Sequence, residues 1–375
     1  MIIPTMKAVA AFTDTYLPTV NGVSYTVATW SRRWRRAGGV MNVVYPGSRA
    51  HSPGEAEFPV RSAPFPLYDG YRFGLPSTPA TLPDPELVHA HTPFTMGLAG
   101  RRFAHKRDLP FVASFHTPTA EYTQYVSNLW PISRVMSRTA AQYERWFYRG
   151  ADAVVVPSEV IRDQSTSRFG ETPVHVVPNG VDTNRFQPVD DTTFRDRRGL
   201  GDELLVGYTG RHGYEKQLGD LVAAVDGLDH DARLVIGGDG PAREGLVADA
   251  DARGIDAKFP GFLDRSKLPA FYSALDVFCF PSPVETQGLV ALEAMACGTP
   301  VVGADEGALV ETIDHDETGY LYSAGDPAAF RTAISRAIDT KDRLQQQCID
   351  RRDELDVSRA LEQLRDVYGT LDQPD

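Results

Sequence analysis

Two glutamates, Glu285 and Glu293, stand eight positions apart in "VETQGLVALEAMACGTPVVG" and enclose an apolar, helix-forming run. The preceding "DVFCFPS" reads as a strand ending in a proline-rich loop, while Gly298 with Pro300 beyond it marks a helix stop. Glu285 is therefore expected on the loop before a helix, and Glu293 about a turn and a half inside it. At about 1.5 Å per helical residue the two carboxylates fall on the order of 10 Å apart. Between them the first amides of the helix, from Gln287, Gly288 and Leu289, have no intrahelical partner and offer an anion site. A ligand with a hydroxylated ring, a diphosphate and a second hydroxylated ring fits that spacing, and a nucleotide sugar is such a ligand. The plainer alternative makes Glu285 a partner of the helix dipole and Glu293 an incidental helical glutamate. Against it, Glu293 lies in the apolar "LVALEAMA", where an unpaired carboxylate is costly.

Other residues of the right chemistry recur at the ends of apolar runs. In "YTGRHGYEKQL", Arg211 and Lys216 flank the start of a helix, and two cations there neutralise a diphosphate without a metal. "IGGDGP" is a second glycine-rich turn. It is not G-x-G-x-x-G, and no such match follows a predicted strand, which argues against a dehydrogenase. In "TDTYLPTVNGVSYT", Asn21-Gly22 predicts a sharp turn whose backbone can approach a phosphate or sugar. His91 and His116 each open an "HTP" at a strand end, where a histidine either faces ligand or is a satisfied structural residue. Asp249–Asp251 and Asp314–Asp316 fall in polar helix or turn context and read as solvated charge, not as a metal motif.

Positioning these groups requires strands alternating with helices. In the first half the strand-like runs are "KAVAAFTD", "MNVVYPG", "ELVHAHT", "FVASFHT" and "ADAVVVPS", with helical patterns at 24–37, 96–106 and 132–149. "ELLVGYTG", "ARLVIGGDG", "KFPGFL", "DVFCFPS" and "TPVVG" repeat the alternation in the second half. Such β-branched runs predict parallel sheets covered on both faces. The series restarts after "VVPNGVDTNRFQPVDD", a linker-like passage. The expectation is two facing, doubly wound α/β domains, 1–186 and 187–355, with a cleft between them. The remaining 356–375 would hold a helix packing back on the first domain.

At 375 residues the chain is long enough for two cores. No stretch is apolar enough to span a bilayer, and the first residues do not read as a signal peptide. Three cysteines without metal-ligand spacing suit a reducing cytoplasm. A net charge of −12 argues against general nucleic-acid binding. The bias to 32 arginines over 6 lysines, and 33 aspartates over 17 glutamates, resembles proteins of salt-rich cytoplasms.

Taken together, "PSPVETQGLVALEAMACGTPVVG", "GRHGYEK", "GDGP", "GFLDRSKLPAFYSALDVF" and "PNGVD" resemble the retaining glycosyltransferases of family 4, which have the GT-B fold. The resemblance covers nearly the whole chain and is strongest over 205–320. "TDTYLPTVNGV" is similar to the amino-terminal motif of that family's lipid-directed mannosyl- and glucosyltransferases. The resemblance implies that Glu285 contacts the donor sugar and Glu293 the ribose. Arg211 and Lys216 would bind the diphosphate, helped by the Gly288 and Leu289 amides and the Gly22 loop. Leu263 would meet the nucleobase through its backbone, and His116 would lie near sugar and acceptor. Gln287 departs from the phenylalanine commoner there, which puts the sugar pocket in question. No metal or other cofactor is implied.

Arginines and tryptophans mix in 29–39 and again within 122–149, a pattern suited to an anionic membrane surface. The alternative is that the tryptophans enter the core. With the amino-terminal motif, this favours a lipid-linked acceptor and a cytoplasmic enzyme peripheral to the cell membrane. Rival expectations are a nucleotide-sugar epimerase or hydrolase of the same fold, and a non-catalytic nucleotide-sugar-binding subunit.

Overall fold

The computed structural model of the chain describes residues 6–65, 71–116 and 130–371, the side chains of 130–138 excepted. It divides into two units, residues 1–179 with 357–375, and residues 180–356. The first boundary falls seven residues earlier than the expected 186, because the passage after Asn179 is tied to the second unit. Val181 donates its amide to Leu355 O (2.8 Å), and Thr183 Oγ1 donates to Asp356 Oδ2 (2.6 Å).

In the first unit the strands are β1 (Ala8–Phe12), β2 (Val40–Pro46), β3 (Glu57–Val60), β4 (Ser62–Pro64), β5 (Arg72–Gly74), β6 (Leu87–Ala90), β7 (Phe111–Ser114), β8 (Ala153–Val156) and β9 (Val174–Val176). Seven of them form a parallel sheet in the order β3-β2-β1-β6-β7-β8-β9, and β4 and β5 make a separate antiparallel pair. Alternate residues of β1 serve opposite faces. Val9 and Ala11 join a cluster with Trp30, Trp34 and Leu364, while Ala10 and Phe12 join one with Met96 and Phe147. Burial on both faces is what the continuous apolar runs require.

The second unit contains β10 (Leu204–Thr209), β11 (Ala232–Gly237), β12 (Ala257–Gly261), β13 (Val277–Phe280), β14 (Val301–Ala304) and β15 (Gly319–Tyr322). They form a parallel sheet ordered β12-β11-β10-β13-β14-β15. Strand order reverses between β10 and β13, and in the first unit between β1 and β6. In open α/β sheets ligands bind beyond the carboxyl ends of the strands at such a switch point. The loops that leave those four strands carry Asp14, His91, Arg211, Lys216 and Glu285.

Helix Val357–Thr370 closes the first unit, its Val357, Leu361, Leu364 and Tyr368 packed with Trp30 and Trp34. This placement decides how 29–39 is used. Both tryptophans are 0% exposed, and their indole N–H groups donate inward, Trp30 to Asn179 O (2.8 Å) and Trp34 to Lys7 O (3.0 Å). The tryptophans expected to meet a membrane are core residues instead, and within 29–36 the side chains most exposed to solvent are those of Arg35 and Arg36. Trp34→Ala is expected to cost about 3–5 kcal/mol in urea unfolding, the usual effect of deleting a buried tryptophan. Of 122–149, residues 122–129 and the side chains of 130–138 lie outside the described residues. Beyond them Trp146 is 53% exposed, with the Arg101 guanidinium 3.9 Å from its ring centroid. Among the described residues no helix is long and apolar enough to cross a membrane.

Candidate functional site

The loops after β10 and β11 lie on one another. Gly210 N donates to Gly237 O (3.2 Å), and His212 N donates to Asp239 O (2.8 Å). A Cβ on Gly238 would stand 1.8 Å from Gly210 O, and its φ is +109°, so only glycine permits this approach. The packed loops, which carry Arg211, lead into the 3-10 turn Tyr214–Lys216, which carries Lys216. Lys216 Nζ lies 2.5 Å from Glu285 Oε1, and both side chains are largely buried. Burial disfavours the ammonium, but the Glu285 carboxylate and the Tyr208 ring oxygen outweigh it and hold the Lys216 proton more tightly than usual. Arg211 Nη1 reaches Glu215 Oε1 at 3.0 Å from a half-buried position.

Glu285 occupies the loop between β13 and helix Leu289–Ala296, its carbonyl accepting from Ala308 N (3.1 Å). Gly288 turns the chain into the helix at φ +77°, where a Cβ would press on Leu309 and Phe280. The N-cap is a glycine and has no side chain with which to cap the helix, and the Gly288 and Leu289 amides at this start are the ones expected to meet an anion. Gln287 is buried, with its carbonyl accepting from Thr312 Oγ1 (2.7 Å). The Leu263 side chain belongs to the core and packs on Gly237. Lys216, Glu285 and a glycine-started helix thus share one switch point.

Glu293 differs from the expectation of an available ribose acceptor. It is 1% exposed, Oε1 lying 2.8 Å from Arg265 Nη2 and Oε2 accepting from Tyr272 OH (3.0 Å). Burial pushes its carboxyl up, and Arg265 and Tyr272 only partly reverse that. The cost that singled out Glu293 in the sequence is offset in part by Arg265 and Tyr272. Neither drew notice in the sequence, and no local signal pairs a loop arginine with a glutamate 28 positions on.

Gly22 also departs from expectation. It is not a sharp turn but the first residue of helix Gly22–Arg36, with open space at its Cβ position. The special chemistry belongs to Asn21, which caps the helix through Ser24 N (2.8 Å) and donates to Thr15 Oγ1 (2.7 Å) and Tyr71 OH (2.9 Å). Asp14 is a further, half-buried acid of this switch point. It accepts from Thr92 Oγ1 (2.6 Å), Thr95 Oγ1 (2.7 Å) and Met96 N (2.9 Å), so it binds the start of helix Thr95–Arg107, which follows β6; burial raises its carboxyl. Asp249 and Asp316 pair with Arg253 and Arg343, and no metal-binding cluster occurs among the described residues.

His116, two residues beyond β7, belongs to a stack of three histidines. The His89 and His91 rings lie 4.1 Å apart and those of His91 and His116 5.5 Å apart, with His91 Nδ1 3.2 Å from His116 Nε2. Burial lowers all three, His89 to about 3 and His116 to about 4, and mutual proximity adds to the effect on His89 and His91. In the unfolded chain they protonate near 6.5, so between that pH and about 4 the unfolded state binds more protons. Stability is therefore expected to fall as pH drops through this window, by on the order of 3 kcal/mol for His116 alone. Urea midpoints from pH 7.5 to 4.5 read this, and His116→Asn should flatten the slope.

Two parallel α/β units with loops of this kind at their switch points are the architecture of GT-B glycosyltransferases. Residues 20–185 match Glycosyltransferase Family 4 and residues 190–354 match Glycosyl transferases group 1. A GDP-mannose-dependent alpha-mannosyltransferase of Mycolicibacterium smegmatis is 30% identical over 349 residues, covering 88% of this chain and 87% of the relative. The alpha-monoglucosyldiacylglycerol synthase of Streptococcus pneumoniae is 28% identical over 333 residues, 84% of this chain and 75% of the relative. A sulfoquinovosyl transferase of Arabidopsis thaliana is 32% identical over 279 residues, which are 71% of this chain and 53% of that longer protein. Among solved structures, a sucrose-phosphate synthase of Thermosynechococcus elongatus superposes with a TM-score of 0.78 at 22% identity, covering 97% of this chain and 99% of the other. Anabaena HepE in complex with UDP and glucose superposes with a TM-score of 0.75 at 19% identity, covering 97% and 100%. The chain belongs to the group 1/family 4 glycosyltransferases.

Proposed function

We propose that this chain is a retaining hexosyltransferase that moves a mannose- or glucose-type sugar from a nucleoside diphosphate to a lipid-linked acceptor at a membrane surface. The observation that carries the reading is the Lys216–Glu285 pair at a switch point, with Glu285 on the loop that enters a glycine-started helix. In the proposed reaction the bond between the anomeric carbon and the diphosphate oxygen breaks. The acceptor oxygen bonds to that carbon on the same face, and its proton passes to the departing diphosphate oxygen. Arg211, Lys216 and the Gly288 and Leu289 amides stabilise the charge that develops on the leaving group. Glu285 holds sugar hydroxyls and orients Lys216, Glu293 is the ribose partner once Arg265 gives way, and His116 serves near the sugar. The names of the mannosyltransferase and diacylglycerol-synthase relatives support the sugar class and the lipid acceptor.

Labelled donor with extracted membrane lipids, followed by NMR of the product's anomeric proton, tests this. Lipid-bound sugar with the donor's anomeric configuration is the expected product. Inverted configuration, or free sugar alone, contradicts it. Because the proposed site neutralises the diphosphate with cations and amides, EDTA is expected to leave the initial rate within about twofold.

A further inference from the structure

His91 is the middle ring of the histidine stack, and the chemistry proposed above gives it no task. At neutral pH the three imidazoles are uncharged, so the 3.2 Å contact between His91 Nδ1 and His116 Nε2 holds a single hydrogen. The question is which ring supplies it. His91 Nε2 is sealed from solvent and has no hydrogen-bond partner among the described residues. Were His116 the donor, His91 would carry its own hydrogen on Nε2, a buried N–H with no acceptor, which native interiors seldom contain. With His91 as donor, Nε2 keeps only a lone pair, the less costly orphan.

The surroundings hold this arrangement in place. His89, stacked beneath His91, has both nitrogens engaged, Nδ1 by Tyr368 OH (2.6 Å) and Nε2 by Ser114 Oγ (2.7 Å). Trp30 lies against all three rings at centroid distances of 6.3, 5.8 and 6.4 Å. His116 is the most exposed ring of the three, at 8% against 1% for His91, and its Nδ1 is the nitrogen that the stack leaves unused.

We infer that His91 is a positioning residue for the transfer reaction: its Nδ1–H donates to His116 Nε2 and fixes His116 as the Nδ1–H tautomer, so that His116 meets its ligand as a hydrogen-bond donor. The inference rests on the proposed part of His116 in transfer. It also sharpens that part. A ring whose free nitrogen carries the hydrogen orients a sugar or acceptor oxygen and cannot take the acceptor's proton there, which leaves the proton to the diphosphate.

Long-range proton–nitrogen NMR of the uniformly nitrogen-15-labelled full chain at pH 7.5 reads the tautomer directly. His116→Asn identifies the signals. The expected spectrum shows His116 protonated at Nδ1, in the wild type and in His91→Asn, whose amide nitrogen replaces the Nδ1 donor. His91→Phe removes the donor and should move His116 toward the Nε2–H form. It should also lower kcat about tenfold, the worth of one hydrogen bond, with donor KM unchanged and most of kcat recovered in His91→Asn. A wild-type His116 protonated at Nε2 overturns the inference without recourse to any variant. A tautomer that shifts in His91→Phe while turnover does not change also overturns it, and shows that the fault lies in the proposed part of His116.

Discussion

Lys216→Met is expected to lower kcat/KM for donor by about 10²- to 10³-fold, the scale on which removal of one preorganised charge-stabilising group acts. Two effects combine. The ammonium that neutralises the leaving diphosphate is gone, and the Glu285 carboxylate, 2.5 Å from where that ammonium stood, is left unopposed beside an incoming anion. Calorimetric titration should therefore show weaker binding of nucleoside diphosphate as well as slower transfer. Glu285→Gln alone should keep nucleotide affinity within about threefold and still reduce transfer, because it removes the sugar contact and leaves the cation. Adding Glu285→Gln to Lys216→Met should return part of the lost affinity, since groups in direct contact do not act additively. Nucleotide binding and turnover by Lys216→Met at wild-type levels would remove both residues from the donor site.

Arg265→Leu is expected to destabilise the second unit by about 3–5 kcal/mol, the cost of stranding one member of a buried ion pair. Glu293, 1% exposed in the native protein, would keep the Tyr272 hydroxyl but lose the guanidinium that faces it. The double variant Arg265→Leu/Glu293→Leu should regain most of the loss. The pH dependence follows from the raised Glu293 carboxyl. Above the ordinary value of 4.5 the native state holds this proton more tightly than the unfolded chain, so stability declines as pH rises through the native value. Without Arg265 the decline should steepen, making the deficit larger at pH 7.5 than at pH 5 in urea unfolding. Glu293→Gln carries the functional half of the prediction, weaker nucleotide binding, if ribose displaces Arg265 from this carboxylate. Unchanged nucleotide affinity would leave Glu293 a purely structural residue.

The alternation of apolar runs and helical patterns made both parallel sheets legible, because a strand buried on two faces has few other sequences open to it. The short strands β3, β9 and β15, all at sheet edges, and the β4–β5 pair were not legible, because strands outside a sheet's interior need no continuous apolar run. At the site, the spacing around Glu285 was readable because one local rule, a strand followed by a glycine-started helix, placed it. Its partner Lys216 was visible as a cation but not as a partner, since the two meet only when β10 and β13 become neighbours. The same holds for Arg265 with Glu293, and for His91 with His116, whose strands pair as β6 and β7. In 29–39 the mixture of arginine and tryptophan was ambiguous by composition. The final helix, more than 300 positions away, turned both tryptophans inward.

Nucleoside diphosphate release from a panel of UDP-, GDP- and ADP-hexoses, with and without extracted membrane lipids, tests the central claim most directly. The site described here predicts one donor consumed by the wild type only when lipid is present, with equal amounts of diphosphate released and sugar bound to lipid. Glu285→Gln should be slowed on that same donor. Release from no donor under any condition, or release that Glu285→Gln and Lys216→Met leave untouched, would contradict it.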